Sequence, residues 1–214
     1  HFTDRRQRQM CIRDRFYRPQ ENSPELTYLR EQRTRLGGQI PNRQVECASL
    51  AVPAIDQFAE FLGDFSGREM STTMLMVRLL SNLLRQPELG RYEVPIVPDE
   101  ARTFGMDGLF KVAGIYSSEG QKYRPVDADS LLPYREAADG QILQEGICEV
   151  GAMASFMAAG SAYAVHGLPM IPFYIFYSMF GFQRVGDMIW SCGDMMCKGF
   201  LLGGTAGRTT LNGE

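Results

Sequence analysis

The feature that most constrains this chain is residues 150–182, a stretch that contains no Asp, Glu, Lys or Arg. A long uncharged segment is buried, either in a lipid bilayer or in a protein core. The sequence His166-Gly-Leu-Pro169, together with Pro172, divides the stretch into a helical piece and a shorter extended piece. Neither piece reaches the roughly 20 residues that a membrane helix needs. The pattern therefore predicts buried elements of a globular domain and no association with a membrane.

The residues around this stretch predict a strand, a sharp turn, a helix and a second strand, in that order. Residues 142–145 read as the first strand and residues 170–177 as the second, and Gly146 stands where the chain has to turn into the helix. A residue without a Cβ makes such a turn inexpensive. Two strands joined through a helix lie parallel in one sheet. We therefore expect an α/β fold with a mostly parallel sheet and helices on both faces.

Glu149 stands at the start of the predicted helix, directly before the uncharged stretch. In parallel sheets the ligand crevice lies at the carboxyl ends of the strands, where this side chain would project. A glutamate in the first helical turn is ordinarily exposed and favoured by the helix dipole. Here we expect desolvation to raise the pKa of Glu149 by more than the helix terminus lowers it. Glu149 is thus a candidate acid–base residue in a crevice.

Two further carboxylates, Asp99 and Glu100, follow a short strand predicted at residues 94–97. Prolines in and after this strand indicate an edge position or a strand end. A pair of adjacent carboxylates at such a point is either an acid pair in a site or a solvated turn. The residues alone leave both alternatives open.

Four blocks of the sequence resemble one family. They are Gln141-Ile-Leu-Gln-Glu-Gly-Ile-Cys-Glu149 and residues 99–106, 168–184 and 203–214. In this order they resemble the pyrimidine-binding domain of the bacterial homodimeric pyruvate dehydrogenases, the thiamine-diphosphate-dependent decarboxylating component of the pyruvate dehydrogenase complex. The resemblance covers nearly everything from Phe16 onward. Because chains of that family are several times longer, it implies an internal fragment.

The resemblance also suggests a domain organisation. Residues 1–15 are rich in Arg and match nothing in the family, so we expect them to be foreign to the protein or disordered. Residues 16–67 are expected to form an interdomain connector with short helices, and residues 68–214 an incomplete pyrimidine-binding α/β domain, truncated at its C-terminus. A basic arm for nucleic acid is the alternative for the first segment. The net charge of −3 argues against a general nucleic-acid binder.

The resemblance implies roles for four residues of the uncharged region and its borders. Glu149 matches the glutamate that hydrogen-bonds the ring nitrogen of the cofactor's aminopyrimidine. Ile147 matches the apolar wedge that holds the cofactor in a bent shape. Phe180 matches the ring that stacks on the pyrimidine, and Tyr177 matches another residue of the pocket. Without the resemblance, both aromatic residues would be interpreted as core residues.

The resemblance places Asp99 and Glu100 near the cofactor and substrate, as weaker catalytic candidates than Glu149, and it leaves Arg102 a structural role. Residues 119–135 are polar, with glycine and prolines but no clear period. A loop of this length within a compact domain is usually functional or mobile. Related enzymes have a loop here that orders over the active centre, so we predict a gate.

No metal ligands are predicted in this chain. In the superfamily, Mg²⁺ and the cofactor's diphosphate are bound by a Gly-Asp-Gly motif with a later Asn, on a domain that is absent from this sequence. The nearest match, Gly186-Asp187-Met188 with Asn212, has a methionine in place of the third glycine. We therefore interpret it as a chance match.

The activity implied is that of an oxidoreductase. It would decarboxylate pyruvate oxidatively and reductively acetylate a lipoyl group of the acyltransferase component, which feeds acetyl-CoA formation after glycolysis. The active site would lie at the interface of a homodimer, so this fragment alone would be inactive. Five cysteines without a Cys-x-x-Cys pair fit reduced thiols in the cytoplasm.

Two other functions remain open at this point. One is a homodimeric dehydrogenase for another 2-oxo acid, such as 2-oxobutyrate, with transketolase more distant. The other is a non-catalytic relic of the fold that acts as an interaction module. Retention of Glu149 favours an enzyme over the relic.

Overall fold

The computed structural model of the chain describes residues 19–38, 46–63, 67, 71–98 and 101–204. Contacts divide it into two compact units, residues 1–43 and 44–214. In the first unit, helix α1 (Pro24–Arg35) begins after Ser23, whose hydroxyl accepts a hydrogen bond from the Leu26 amide at 3.3 Å. A serine is one of the residues most favoured at this capping position. Residues 1–15 lie outside the described ranges, and the domain boundary after residue 67 stays a prediction.

The second unit contains the other elements, and their order follows the predicted alternation of strands and helices. The helices are α2 (Ala59–Leu62), α3 (Thr72–Leu84), α4 (Glu149–His166) and α5 (Ser178–Asp194). The strands are β1 (Glu93–Val97), β2 (Ile115–Tyr116), β3 (Glu136–Ala137), β4 (Leu143–Gln144), β5 (Ile171–Tyr177) and β6 (Phe200–Gly204). Short 3₁₀ turns lie at Ile55–Phe58, Gly90–Tyr92 and Met106–Lys111. The uncharged stretch thus forms most of α4, all of β5 and the start of α5.

The main sheet has four strands in the order β4-β1-β5-β6, and every neighbouring pair is parallel. The chain passes from β4 through α4 to β5 and crosses over β1 on the way. β2 and β3 form a separate parallel pair. The predicted parallel α/β architecture is therefore confirmed.

Both faces of the sheet are covered, as β5 shows by its alternation. Phe173 and Ile175 belong to the core on the α3 side, which includes Leu80. Tyr174 and Phe176 belong to the core formed with α4 and α5 on the opposite face. Because successive residues of a strand point to opposite faces, one apolar run can supply both cores. The prediction of helices on both faces is confirmed.

The turn that leads into α4 is the one expected from the glycine. Gly146 has φ of 72°, a left-handed conformation that other residues seldom adopt. Cys148 then caps the helix, and its Sγ accepts a hydrogen bond from the Gly151 amide at 3.4 Å. Within the described ranges, no helix combines the length and apolar character needed to cross a bilayer.

One expectation about the sheet is wrong. The prolines of residues 94–98 predicted an edge position or a strand end, and the edge position is wrong because β1 lies between β4 and β5. The strand does end directly before Pro98. The ladder between β1 and β4 begins only at Ile96, beyond the proline. On that side β1 is locally an edge at Pro95, which is where a missing N–H is tolerated.

Helix α4 packs very closely on the turn before β6, and this contact provides a test of the fold. A Cβ added to Gly160 would lie 2.7 Å from the backbone carbonyl oxygen of Lys198. The Lys198 amide also donates to the Gly160 carbonyl at 2.9 Å, so neither backbone can retreat without losing this bond. We expect Gly160→Ala to lower the free energy of unfolding by about 1–3 kcal/mol, measured by denaturation of the purified protein. Gly186→Ala is the control, because nothing lies within 4 Å of its added Cβ.

The first residue of β1 predicts a pH dependence of stability. Glu93 is only 1% exposed, and its carboxyl oxygens accept no hydrogen bond from any residue that the structure describes. Burial raises the pKa of Glu93 from 4.5 to about 8. The folded state therefore binds one proton more than the unfolded state between these values, and stability falls as the pH rises through this window.

We expect Glu93→Gln to remove this decline and to stabilise the protein above pH 8 by on the order of 3 kcal/mol. Thermal unfolding of both proteins across the pH range measures the difference. The exposed carboxylate of Glu88 provides the control variant Glu88→Gln. Parallel pH profiles for the wild type and Glu93→Gln would show that the buried carboxyl does not titrate as described.

Candidate active site

The carboxyl ends of the parallel strands bring two loops together at one edge of the sheet. β1, β4 and β5 all end at this edge, and the Glu145 amide donates to the Val97 carbonyl at 3.1 Å just beyond β4. Helix α4 begins here at Glu149 and helix α5 begins here at Ser178. In open parallel sheets this edge is where ligands bind.

Glu149 is buried at the start of α4, as the sequence predicts, with 7% of its surface exposed. Arg184 of α5 donates from Nη1 to its Oε1 at 2.5 Å. The hydroxyl of Tyr174, on β5, donates to the backbone carbonyl of Glu149 at 3.4 Å. The carboxylate is thus held between the two helices rather than exposed to solvent.

The protonation state of Glu149 differs from the expectation. Burial raises its pKa, but the hydrogen bond and charge of Arg184 and a hydrogen bond from the Glu149 backbone together hold the pKa below its ordinary value. The expectation that desolvation would dominate is wrong, because a cation from the following helix compensates for it. Glu149 is therefore an ionised carboxylate that accepts hydrogen bonds.

The two aromatic residues singled out in the sequence lie at the same edge as Glu149. The Arg184 guanidinium lies over the Phe180 ring, 4.4 Å from its centroid. Phe180 in turn meets Tyr177 edge-on, with centroids 6.3 Å apart, and Tyr177 packs on Phe104 at 4.9 Å. Both predicted rings are half-buried. The structure thus connects Glu149 to Phe180 and Tyr177 through one arginine.

The remaining candidates are placed less completely. Ile147 lies in the loop before α4 with 77% of its surface exposed. Asp99 and Glu100 lie outside the described residues, between Pro98 and Ala101, which are both buried. Across the part of the chain that the structure describes, no three His, Cys, Asp or Glu side chains are grouped to hold a metal ion.

Arg184 is the site residue that the sequence interpretation missed. It is the first charged residue after the uncharged stretch, as Glu149 is the last before it. A carboxylate placed among apolar residues needs a cationic partner, since an unpaired buried charge is strongly unfavourable. That rule, applied to the two ends of the stretch, would have suggested the pair.

The fold and this edge define a parallel α/β domain that presents a buried carboxylate and aromatic rings where such domains bind ligands. Residues 50–214 match the family described as "Pyruvate dehydrogenase E1 component middle domain". The chain belongs to this family.

Relatives carrying the name "Pyruvate dehydrogenase E1 component" cover nearly the whole chain. The protein from Pseudomonas aeruginosa is 57% identical over 93% of this chain and 23% of its own length. That from Mycobacterium tuberculosis is 51% identical over 93% of this chain and 21% of its own length. That from Escherichia coli K12 is 52% identical over 91% of this chain and 22% of its own length. The chain therefore spans less than a quarter of these relatives.

The ion pair at the edge predicts a second pH dependence, of opposite sign to that of Glu93. Because the pKa of Glu149 is lowered from 4.5 in the folded state, its contribution to stability is present above pH 4.5 and is lost as the pH falls. We expect Arg184→Gln to destabilise the protein by about 1–3 kcal/mol at pH 7, because it leaves a buried carboxylate without its cation. The difference in free energy of unfolding between the wild type and Arg184→Gln should become smaller below pH 4.5.

Urea unfolding at pH 7 and at pH 4 measures this effect. The control is Gln183→Ala, a substitution of an exposed side chain one residue earlier on the same helix. Equal stability of Arg184→Gln and the wild type at pH 7 would contradict the assignment of Arg184 as the partner of Glu149.

Proposed function

We propose that the protein containing this chain uses thiamine diphosphate to decarboxylate pyruvate oxidatively, and that it reductively acetylates a lipoyl group on an acyltransferase partner. Membership of the family and the names of the relatives support an E1-type oxidoreductase. The observation that carries the proposal is Glu149, a buried carboxylate at the carboxyl edge with aromatic rings beside it.

The side chains at the edge fit the pyrimidine half of the cofactor. An ionised carboxylate such as Glu149 accepts a hydrogen bond from a protonated ring nitrogen, and Phe180 and Tyr177 offer apolar surface to a planar ring. Arg184 lies on one face of Phe180, so a ring that stacks on that face requires the guanidinium to shift. When bound, thiamine diphosphate supplies the electron sink that decarboxylation of a 2-oxo acid needs.

Each residue then has a defined role. Glu149 orients the cofactor ring and holds or releases a proton at its carboxylate, while Arg184 keeps that carboxylate ionised between turnovers. Ile147, exposed in the turn before α4, acts as the apolar wedge under the cofactor. Asp99 and Glu100 follow β1 in the sequence, and we assign them to contact with the substrate, as the family resemblance implies.

We propose that Mg²⁺ and the diphosphate are held by another part of the protein, as the family resemblance implies. We further propose a homodimer with the active site at the subunit interface. Exposed apolar side chains next to the edge support this arrangement, because a second subunit would remove them from water. They are Ile147, Val150 and Phe182, which are 77%, 52% and 60% exposed. We place the protein in the cytoplasm.

The proposal is tested by Glu149→Gln in the full-length protein. Glutamine keeps the shape of the side chain and an acceptor oxygen for Arg184, but it holds no exchangeable carboxyl proton. We expect pyruvate decarboxylation with thiamine diphosphate and Mg²⁺ to fall by about 10²-fold or more, with the fold unchanged by circular dichroism.

Glu60→Gln is the matched control, since Glu60 also forms an ion pair with an arginine, Arg78, but on α2 and α3 rather than on α4 and α5. Its activity should equal that of the wild type. Undiminished decarboxylation by Glu149→Gln would refute the role of Glu149. Activity confined to another 2-oxo acid in the wild type would redirect the proposal to a different substrate.

A further inference from the structure

The segment between β2 and β3, residues 117–135, has no helix or strand and contains the loop for which a gate is predicted, residues 119–135. Arg102, in the turn that follows β1, contacts this segment at two points. Its guanidinium forms an ion pair with Asp127 and donates to the Leu132 carbonyl at 3.1 Å. These partners lie 25 and 30 residues further along the chain.

The carboxylate of Asp127 accepts two hydrogen bonds, so its contact with Arg102 belongs to a larger network than a single surface ion pair. Its Oδ2 accepts from Arg102 and also from the Tyr134 amide at 3.0 Å. The ring of Tyr134 packs edge-on against Phe110 at 5.6 Å, and Arg102 lies 5.5 Å above the same Phe110 ring. Phe110 is 1% exposed and belongs to the core on the α3 side. A buried ring thus supports both the cation and the far arm of the segment.

Other ion pairs of the segment differ in what they connect. Arg124 pairs with Asp129, and Lys122 pairs with Glu119, so each joins the segment only to itself. The side chains of Arg124 and Asp129 are 74% and 91% exposed, whereas those of Arg102 and Asp127 are 46% and 30% exposed. Exposed pairs contribute little, while partly buried and connected pairs contribute more. Arg102 therefore holds the segment to the body of the domain, whereas the other pairs shape it internally.

The base of the segment is held by a different set of bonds. Gln121 bridges its two arms, with Nε2 donating to the Tyr134 carbonyl at 3.5 Å and Oε1 accepting from the Glu136 amide at 3.3 Å. The Ser117 amide donates to the Ala137 carbonyl at 2.9 Å, next to the β2–β3 ladder. Loss of the contacts of Arg102 would therefore release the tip of the segment, residues 127–132, while the hydrogen bonds at its base remain.

We propose that Arg102 is a positioning residue, which holds the tip of the 117–135 segment to the turn after β1 through Asp127 and the Leu132 carbonyl. Asp99 and Glu100, the candidate substrate-side carboxylates, lie in the chain directly before that turn. Through this contact, the position of the 117–135 segment depends on the part of the chain that contains Asp99 and Glu100. This catalytic consequence rests on the proposed function, whereas the fastening itself does not.

Hydrogen exchange of the full-length protein tests the fastening without reference to activity. The variants are Arg102→Gln, Asp127→Asn and the two combined. Asp127→Asn keeps an acceptor for the Tyr134 amide, so it removes the ion pair alone. We expect each single variant to speed exchange in peptides covering residues 124–134 by about three- to tenfold, with α4 unchanged as an internal reference.

Two comparisons distinguish loss of the contact between Arg102 and Asp127 from a general loosening of the segment. The double variant should exchange no faster than the faster single variant, because both substitutions break one contact. Arg124→Gln is the matched control and should leave exchange at residues 128–134 unchanged. Equal exchange in Arg102→Gln and Arg124→Gln, or additive effects in the double variant, would overturn the proposal.

The catalytic role is measured on the same variants. We expect kcat/KM for pyruvate to fall about three- to tenfold in Arg102→Gln and Asp127→Asn and to stay at the wild-type value in Arg124→Gln. Faster exchange with unaltered kcat/KM would overturn the positioning role. If the wild type does not decarboxylate pyruvate, the proposed function fails on its own, and the exchange data still decide whether Arg102 holds the segment.

Discussion

Burial of β5 on all sides is the constraint on which the rest of the domain depends. The strand has parallel neighbours at both edges and a core on each face, so it tolerates no charged side chain along its length. Helix α4 lies against the same sheet and is uncharged from Val150 to its end at His166. The charged residues closest to this buried unit in the sequence are therefore Glu149 and Arg184. Because one precedes the helix and the other follows the strand, the parallel crossover brings them to the same edge.

This pairing shapes the candidate site. The carboxylate is removed from water without being neutralised, because Arg184 supplies the positive charge that solvent otherwise provides. The same guanidinium covers a face of Phe180 and thus joins the carboxylate to the aromatic rings. Occupation by a planar ring would change the environment of both charges at once.

The contacts at Arg102 are of a different kind from those of the core. Core residues such as Ile96 and Tyr174 are held by shape and by exclusion of water, and they cannot move without opening the sheet. The tip of the 117–135 segment is held by polar groups that water can replace. The tip of the segment can therefore detach from Arg102 without opening the sheet.

The sequence by itself determined the features that depend on residues close together along the chain. Absence of charge identified α4 and β5, and Gly146 marked the turn from β4 into α4, because a left-handed backbone conformation is a local property. The position of Glu149 before the uncharged stretch made it a candidate site residue, and the family resemblance added Phe180 and Tyr177. Tertiary structure alone decided the rest. It placed the proline-containing β1 inside the sheet and buried Glu93 with no hydrogen-bond partner among the described residues. It brought Arg102 to Asp127 and Arg184 to Glu149. The second of these contacts reversed the expected direction of the pKa shift of Glu149. Each of these depends on residues that are distant in the chain, and pairing energies and desolvation are set by spatial neighbours rather than by sequence position.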